Sequence, residues 1–227
     1  RAKEVKNGDI ILYMDKTNRG KLIAFEGIDG SGKTTQFGLL AGRFREMGIT
    51  FYTTMEPTDS PIGSLIHQIM TGRMNADPKV IAALFVADRL DHLLNEVNGV
   101  VHKVEEGITV IMDRYYFSSY AYQSVDVPID WLIQANAQSR SILRPAVHIF
   151  IDTDPEIAME RITQNRCDKE LFEEKSRLAR VREKYLECFE RFGGSEQVVR
   201  IDGNRSPEEV AQDIWKAVQK YEIQNNQ

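Results

Sequence analysis

The chain has little cysteine, little proline and no long apolar run. Its 227 residues include two cysteines, Cys167 and Cys188, too few for a disulfide framework or a cysteine-built zinc site. A reduced, cytoplasmic setting is therefore expected. No apolar stretch approaches the roughly 18 residues that suggest a membrane span, and no secretory leader pattern is visible, so no membrane partner is expected. Positive charge is in deficit: 29 Lys and Arg against 34 Asp and Glu give a net charge of −5. That balance argues against a broad nucleic-acid footprint and leaves any phosphate to local basic residues. No repeat or low-complexity tract appears, and the only composition shift is the charged stretch from Arg161 to Arg182. The first residue is Arg1, which is not an intact translation start; Met14 is a candidate native start, and residues 1–20 are read as an extension with no assigned chemistry. Residues 21–227 are read as one domain, and an apolar content of 42% supplies a sizeable core.

What the chain does have is a loop. Gly27-Ile28-Asp29-Gly30-Ser31-Gly32-Lys33-Thr34 fits G-x-x-x-x-G-K-[ST] at every fixed position. Leu22 to Phe25 before it reads as a short buried strand, and helix-compatible residues follow from Thr35. A strand, a Gly-rich turn and a helix N-terminus aim several backbone N–H groups at one point, where a polyphosphate satisfies them. Lys33 can reach the β- and γ-phosphates, and the Thr34 hydroxyl can ligand Mg²⁺. The nucleotide site is thus placed on residues 27–35, including Thr35.

Strand and helix patterns alternate afterwards. Phe37, Leu40, Ala41, Phe44 and Met47 share a helical face between Gln36 and Gly48. Thr50 to Thr54 reads as a strand. Ile62, Leu65, Ile66 and Ile69 make a second apolar stripe, stopped near Gly72. Asp77-Pro78 opens a helix expected to run to about Glu106, with a possible bend at Asn98-Gly99 and a stop at Gly107. Strands follow at Thr109 to Met112, Ala146 to Ile151 and Val198 to Ile201. Asp154-Pro155 opens one helix, Glu173 to Phe192 is a charged helix, and Ser206-Pro207-Glu208-Glu209 is a capping box. The expected fold is α/β: five parallel strands flanked by helices in three layers. Ligands in such sheets bind at the carboxyl ends of the strands. Glu56, Asp113 and Asp152 lie at or after such ends and are expected within reach of the loop.

Phe25 through Gln36, Glu56-Pro57, Ala87-Asp88-Arg89 and Asp113-Arg114-Tyr115 together resemble the motif set of thymidylate kinases, in order and spacing, from about Lys21 to Tyr221. The resemblance implies the P-loop fold, transfer of the ATP γ-phosphoryl group to dTMP, a Mg²⁺ cofactor and a homodimer. It implies that Phe85 stacks on thymine and Arg89 bonds the base edge. It places Ser118, Ser119, Tyr122 and Gln123 around base and sugar, Glu56-Pro57 beside the acceptor, and Asp29 at the sugar 3′-hydroxyl.

Independently of that likeness, phosphoryl transfer asks a protein mainly for positioning and charge neutralisation. Arg114, after a strand end, can hold an acceptor monophosphate as a bidentate fork. Asp113 can hold Mg²⁺ through water or orient that phosphate. Phe85 and Arg89, four apart, share one helical face.

The chain also departs from the pattern. Met55 precedes Glu-Pro, and Thr58-Asp59-Ser60 follows it, where relatives carry an arginine at one place or the other. Gly30 leaves the loop without an arginine, so the mobile cation is expected in a lid spanning about residues 161–173. Arg166 is assigned to the transferring phosphoryl group and Arg161 to adenine, with Lys169 as the reserve. Three other classes stay open from residues alone: a deoxynucleoside kinase using Glu56 as base, a monophosphate kinase for another nucleotide, and a nucleotide switch. The last lacks an Asn-Lys-x-Asp reader and has Arg114 after Asp113, where water-activating ATPases have glutamate.

Overall fold

The computed structural model describes residues 19–162 and 168–222, with the backbone alone for 168–174 and 222. Five strands make one sheet: β1 (Leu22–Glu26), β2 (Phe51–Met55), β3 (Thr109–Asp113), β4 (Val147–Asp152) and β5 (Val198–Asp202). All pairings are parallel, in the order β2-β3-β1-β4-β5. Ten helices are described: α1 (Lys33–Glu46), α2 (Pro61–Met70), α3 (Pro78–Leu94), α4 (Val100–Glu105), α5 (Tyr116–Gln123), α6 (Ile129–Ala135), α7 (Ala137–Ile142), α8 (Pro155–Ile162), α9 (Asp168–Arg191) and α10 (Pro207–Glu222).

Strand alternation builds the layers. Leu22 and Ala24 of β1, with Val110 and Met112 of β3, face one core beside α5 and α9. Ile23 and Phe25, with Ile111, face the other core, where Leu40 and Phe44 of α1 meet Trp215 of α10. Successive side chains on a strand point to opposite faces, so a strand buried on both sides is apolar at nearly every position. β1 is such a strand, and all five residues are buried, Glu26 included.

The central place of β1 positions the site. The chain leaves β1 through α1, passes over to β2 and returns as β3, so the turn after β1 lies between the ends of β3 and β4. Phe25 is in register with Asp113, and Glu26 with Phe150. Ligands in open parallel sheets collect at such a crossover.

Several expectations need correction. The helix expected from Pro78 to Glu106 is broken rather than bent: α3 ends at Leu94 and α4 begins at Val100. The Asn95 side chain accepts the N–H groups of Val97 and Asn98 at 3.0 and 3.4 Å, turning the chain before Gly99. Met47 lies past the end of α1 and is exposed, whereas Leu40, Ala41 and Phe44 of its expected stripe are buried. Helices α5, α6 and α7 had no assignment. The capping box is present: Ser206 N–H donates to Glu209, and Glu209 N–H to Ser206 Oγ at 3.3 Å. Among the described residues, no helix is long and apolar enough to cross a membrane.

Candidate active site

The loop after β1 curls around a cavity of about 470 Å³ lined by Asp29, Gly30, Gly32, Lys33, Thr34, Thr35, Asp113, Arg114 and Arg161. Helix α1 opens on Gly32, which is left-handed at φ 94 and gives no side-chain cap, so the first-turn N–H groups are left for a ligand. Gly30 is also left-handed at φ 75, and a Cβ there would stand 2.3 Å from the Ala158 carbonyl oxygen of α8. An arginine at that position has no room. Ile28 contributes backbone only, because its side chain is buried in the core beside α5.

Lys33 is buried and donates to the carbonyls of Gly27 and Ile28, both at 2.9 Å. Burial, and then repulsion from Arg114, pull its ammonium group down to about 7. An anion in the cavity would restore the charge. Asp113 closes β3 beside it, and its Oδ1 is buried with no hydrogen-bond partner among the described residues. Arg161 lies across the loop backbone, donating to Gly203 O at 3.0 Å and more weakly to Ser31 O and Gly30 O. Arg166 falls outside the described residues, together with the rest of 163–167; of the segment expected as a lid, Arg161 and Ile162 close α8 and residues 168–173 begin α9.

A second, more apolar cavity of about 370 Å³ adjoins the first. Glu56, Pro57, Phe85, Arg89, Ser118, Ser119, Tyr122 and Gln123 line it, so every residue assigned to the acceptor is brought together there. Asp29 and Arg114 line both cavities. Phe85 belongs to neither core cluster; its ring belongs to the cavity wall. Gln123 Oε1 is a buried acceptor without a partner among the described residues.

Arg89 is 1% exposed. Its Nε and Nη2 hold Glu56 at 2.8 and 2.6 Å, and Nη1 reaches Ser119 Oγ and Asn136 Oδ1. A guanidinium has five N–H donors. Three are spent in these hydrogen bonds, and Nη2, ion-paired with Glu56, keeps an N–H for a ligand edge. Glu56 is held on its other oxygen by His92 Nδ1 at 3.3 Å. The loop behind Glu56 is pinned by Asp88, which accepts Thr58 N–H, Thr58 Oγ1 and Ser60 Oγ. Thr58 and Ser60 thus fix the loop.

Arg114 is the hinge between the cavities. It has φ 69, a conformation costly for a bulky residue, about 1–3 kcal/mol. Two bonds hold the strained turn: Arg114 N–H to Phe25 O at 2.9 Å and Tyr115 N–H to Glu26 Oε1 at 3.1 Å. The guanidinium then reaches Asp29 Oδ1 at 2.5 Å and lies 4.8 Å over the Tyr122 ring. Burial raises the Asp29 carboxyl, but Arg114 and Lys33 beside it hold it below its usual range.

Sequence reasoning missed Glu26 and Tyr185. Glu26 accepts Ser118 Oγ at 2.6 Å and Tyr185 OH at 3.1 Å, and burial pushes its carboxyl up to about 7. An acidic residue closing an apolar strand was the available signal. Asp152, expected near the loop, is instead tied to Arg182 and Arg200 and lines neither cavity. Glu56 serves the apolar cavity rather than the loop cavity.

A glycine-rich loop cavity and a more apolar cavity that share Asp29 and Arg114 leave room for two ligands side by side. A family model described as thymidylate kinase matches residues 25–214. The chain belongs to the thymidylate kinase family. It is 35% identical over 202 residues to a thymidylate kinase of Symbiobacterium thermophilum, covering 87% of this chain and 92% of the relative. A probable thymidylate kinase of Pyrobaculum aerophilum is 38% identical, with 87% and 96% covered. One from Methanothermobacter thermautotrophicus is 42% identical, with 75% and 82% covered. The thymidylate kinase match takes in both cavities, from the β1 strand end to α10.

Proposed function

We propose that the chain transfers the γ-phosphoryl group of ATP to dTMP, giving dTDP and ADP. The observation that carries this is the junction: Asp29 and Arg114 line both the loop cavity and the apolar cavity. ATP phosphates occupy the first, with Lys33 and the α1 N-terminus against them. The thymine ring enters the second, against Phe85, and an Nη2 N–H of Arg89 faces its edge. Gln123 Oε1 offers an acceptor for a ring N–H. The dTMP phosphate then meets Arg114 where the cavities join, in line with the incoming phosphoryl group. Holding two anions end to end converts an encounter into an oriented reaction and removes much of its entropic barrier.

Mg²⁺ fits this site because the orphaned Asp113 oxygen and the Thr34 hydroxyl are hard oxygen donors beside the phosphates. Bound there, it would neutralise charge on the β- and γ-phosphoryl oxygens. Arg161 sits over the loop and is assigned to the ATP side, and Arg166, outside the described residues, is proposed as the cation that closes with the lid. A homodimer, a reduced cytoplasmic setting and one domain over residues 21–227 belong to the same proposal.

The deoxynucleoside kinase alternative needs Glu56 free as a base. Both of its oxygens are engaged, by Arg89 and by His92, which argues against that role. A coupled assay of ADP release decides between the classes. dTMP should turn over and thymidine should not, with dUMP slower by roughly 10–200-fold at most, the scale for one methyl group. Faster turnover of thymidine than of dTMP would reject the proposal.

A further inference from the structure

Three guanidinium groups line the apolar cavity: Arg89, Arg114 and Arg177. Two of them are already committed. Arg89 is ion-paired with Glu56, and Arg114 with Asp29. Arg177 makes no hydrogen bond or ion pair with any described residue, although it belongs to the cavity wall. In the adjoining loop cavity the cations are engaged as well. Lys33 is bonded to Gly27 O and Ile28 O, and Arg161 to carbonyls of the loop and of Gly203. Arg177 is thus an uncommitted cation facing a cavity that must receive an anion.

Its position follows from α9. Arg177, Val181 and Tyr185 are four apart and share one helical face. Val181 and Tyr185 are buried, and the Tyr185 hydroxyl meets Ser118 Oγ of α5 at 2.7 Å. The Tyr185 ring also packs edge-on to Tyr122, at 6.3 Å between centroids. The row therefore runs along α5 and carries Arg177 to the Asp29 and Arg114 end of the cavity. On the other side of the helix, Arg182 anchors α9 through Asp152, with Nε–Oδ1 at 2.6 Å. Arg177 is held on a fixed helix while its own side chain stays exposed. Consistent with this placement, Arg177 is one of the cations that hold the Asp29 carboxyl low, after Arg114, Lys33 and the Tyr122 bond.

We infer that Arg177 is a further ligand for the monophosphate of the acceptor, reaching it from α9 while Arg114 reaches it from the end of β3. The inference rests on the proposed dTMP reaction and deepens it. A dianionic monophosphate next to the ATP chain needs more than Arg114, which is already paired with Asp29. Two guanidinium groups from different elements also fix the phosphate's orientation, which a single fork does not. The chain carries Thr58-Asp59-Ser60 after Glu56-Pro57, with no cation there, so α9 is the element that can supply the second fork.

Calorimetric titration separates this role from packing. Wild type, Arg177→Ala and Arg177→Lys are titrated with dTMP and with thymidine in the absence of ATP, and Michaelis constants for dTMP and ATP are measured alongside. Arg177→Ala should weaken dTMP by about tenfold, the lower range for a charge-assisted hydrogen bond at an exposed site. Thymidine affinity should stay within about twofold, and Arg177→Lys should recover part of the dTMP loss, since it keeps the charge without the fork. Unchanged dTMP affinity, equal weakening of dTMP and thymidine, or an effect confined to the Michaelis constant for ATP would each overturn the assignment. Failure of the wild type to bind dTMP would overturn the dTMP reading itself, and that control is read first.

Discussion

The loop cavity and the apolar cavity share Asp29 and Arg114 but are built by different means. The loop cavity is mostly backbone from one short segment, completed by Lys33, Asp113 and Arg161. The apolar cavity is side chains from several elements, locked to one another by buried ion pairs and hydroxyls. In the first, charge is left unanswered until a ligand arrives: Lys33 is buried with its ammonium pulled down to about 7. In the second, charge at the ring wall is answered internally, as the Arg89–Glu56 pair shows, while Arg177 at the Asp29 and Arg114 end is left for the acceptor's anion. A site that binds polyphosphate can leave its cation waiting. A site that must hold a flat neutral ring needs a rigid wall, and its charges have to be settled beforehand.

The largest expected effects test that contrast directly. Arg89→Met should destabilise the fold by about 3–5 kcal/mol, because Glu56 is left buried without its cation. Lys33→Met should do the reverse to stability. Because burial depresses the folded-state pKa of Lys33, the unfolded chain holds more protons between about 7 and 10.5, and stability rises with pH across that window. The methionine variant should therefore be at least as stable as wild type at pH 7, with its advantage shrinking toward pH 10. Its turnover should still fall by on the order of 10²–10³, the scale of one preorganised donor to developing charge. Urea melts and single-turnover transfer read both quantities. If the Lys33 variant melted earlier and the Arg89 variant did not, the two cavities would not differ as described.

The same contrast explains what was legible beforehand. The loop residues Gly27 to Thr35 work through local backbone geometry, so a local pattern reveals them. Asp113 and Arg114 lie at a strand end, and strand ends are where parallel sheets place ligands. The apolar cavity depends on packing between distant segments. Phe85 and Arg89 were reached through helical spacing and a family likeness, but the Glu56 partner of Arg89 was not foreseen. Helix α5 escaped notice because Tyr116 to Ala121 are buried on every side, so no amphipathic stripe exists to be read. Glu26 falls outside the strand read from the sequence because a carboxylate does not resemble a core residue, and Asp152 resembles a site residue because its arginine partners lie on other elements. The lid assignment rests on charge over residues 161–173, of which 163–167, with Arg166, lie outside the described residues and 168–173 open α9.

A smaller effect sharpens the comparison at the ring wall. Phe85→Ala should raise the Michaelis constant for dTMP by roughly 10–100-fold, as expected for losing one ring–base stack. ATP binding should change little, since Phe85 lines only the apolar cavity. Stability should fall by less than the roughly 3–5 kcal/mol of a core phenylalanine, because Phe85 lies outside both clusters. A large loss of stability with unaltered dTMP affinity would return Phe85 to the core.

The smallest expected effect lies beneath the junction, where Glu26 supports the strained Arg114 turn. Burial raises its carboxyl from 4.5 to about 7, against the lowering pull of Ser118 and Arg114. Between those values the folded chain keeps a proton that the unfolded chain has lost. Stability must then fall as pH rises through that window and level off above it. Glutamine cannot titrate, so Glu26→Gln lacks this slope. The carboxyls of Asp29, Asp152 and Glu196 are shifted the opposite way, but they are present in both proteins and cancel in the difference. Urea melts at pH 5, 6, 7 and 8 should show the glutamine variant gaining on wild type by on the order of 1 kcal/mol, with the gain complete near neutrality. Parallel curves would mean that Glu26 stays ionised throughout. The carboxylate would then be a permanent counter-charge for Arg114, and the junction would be an ion-pair network of the same kind as the apolar cavity wall.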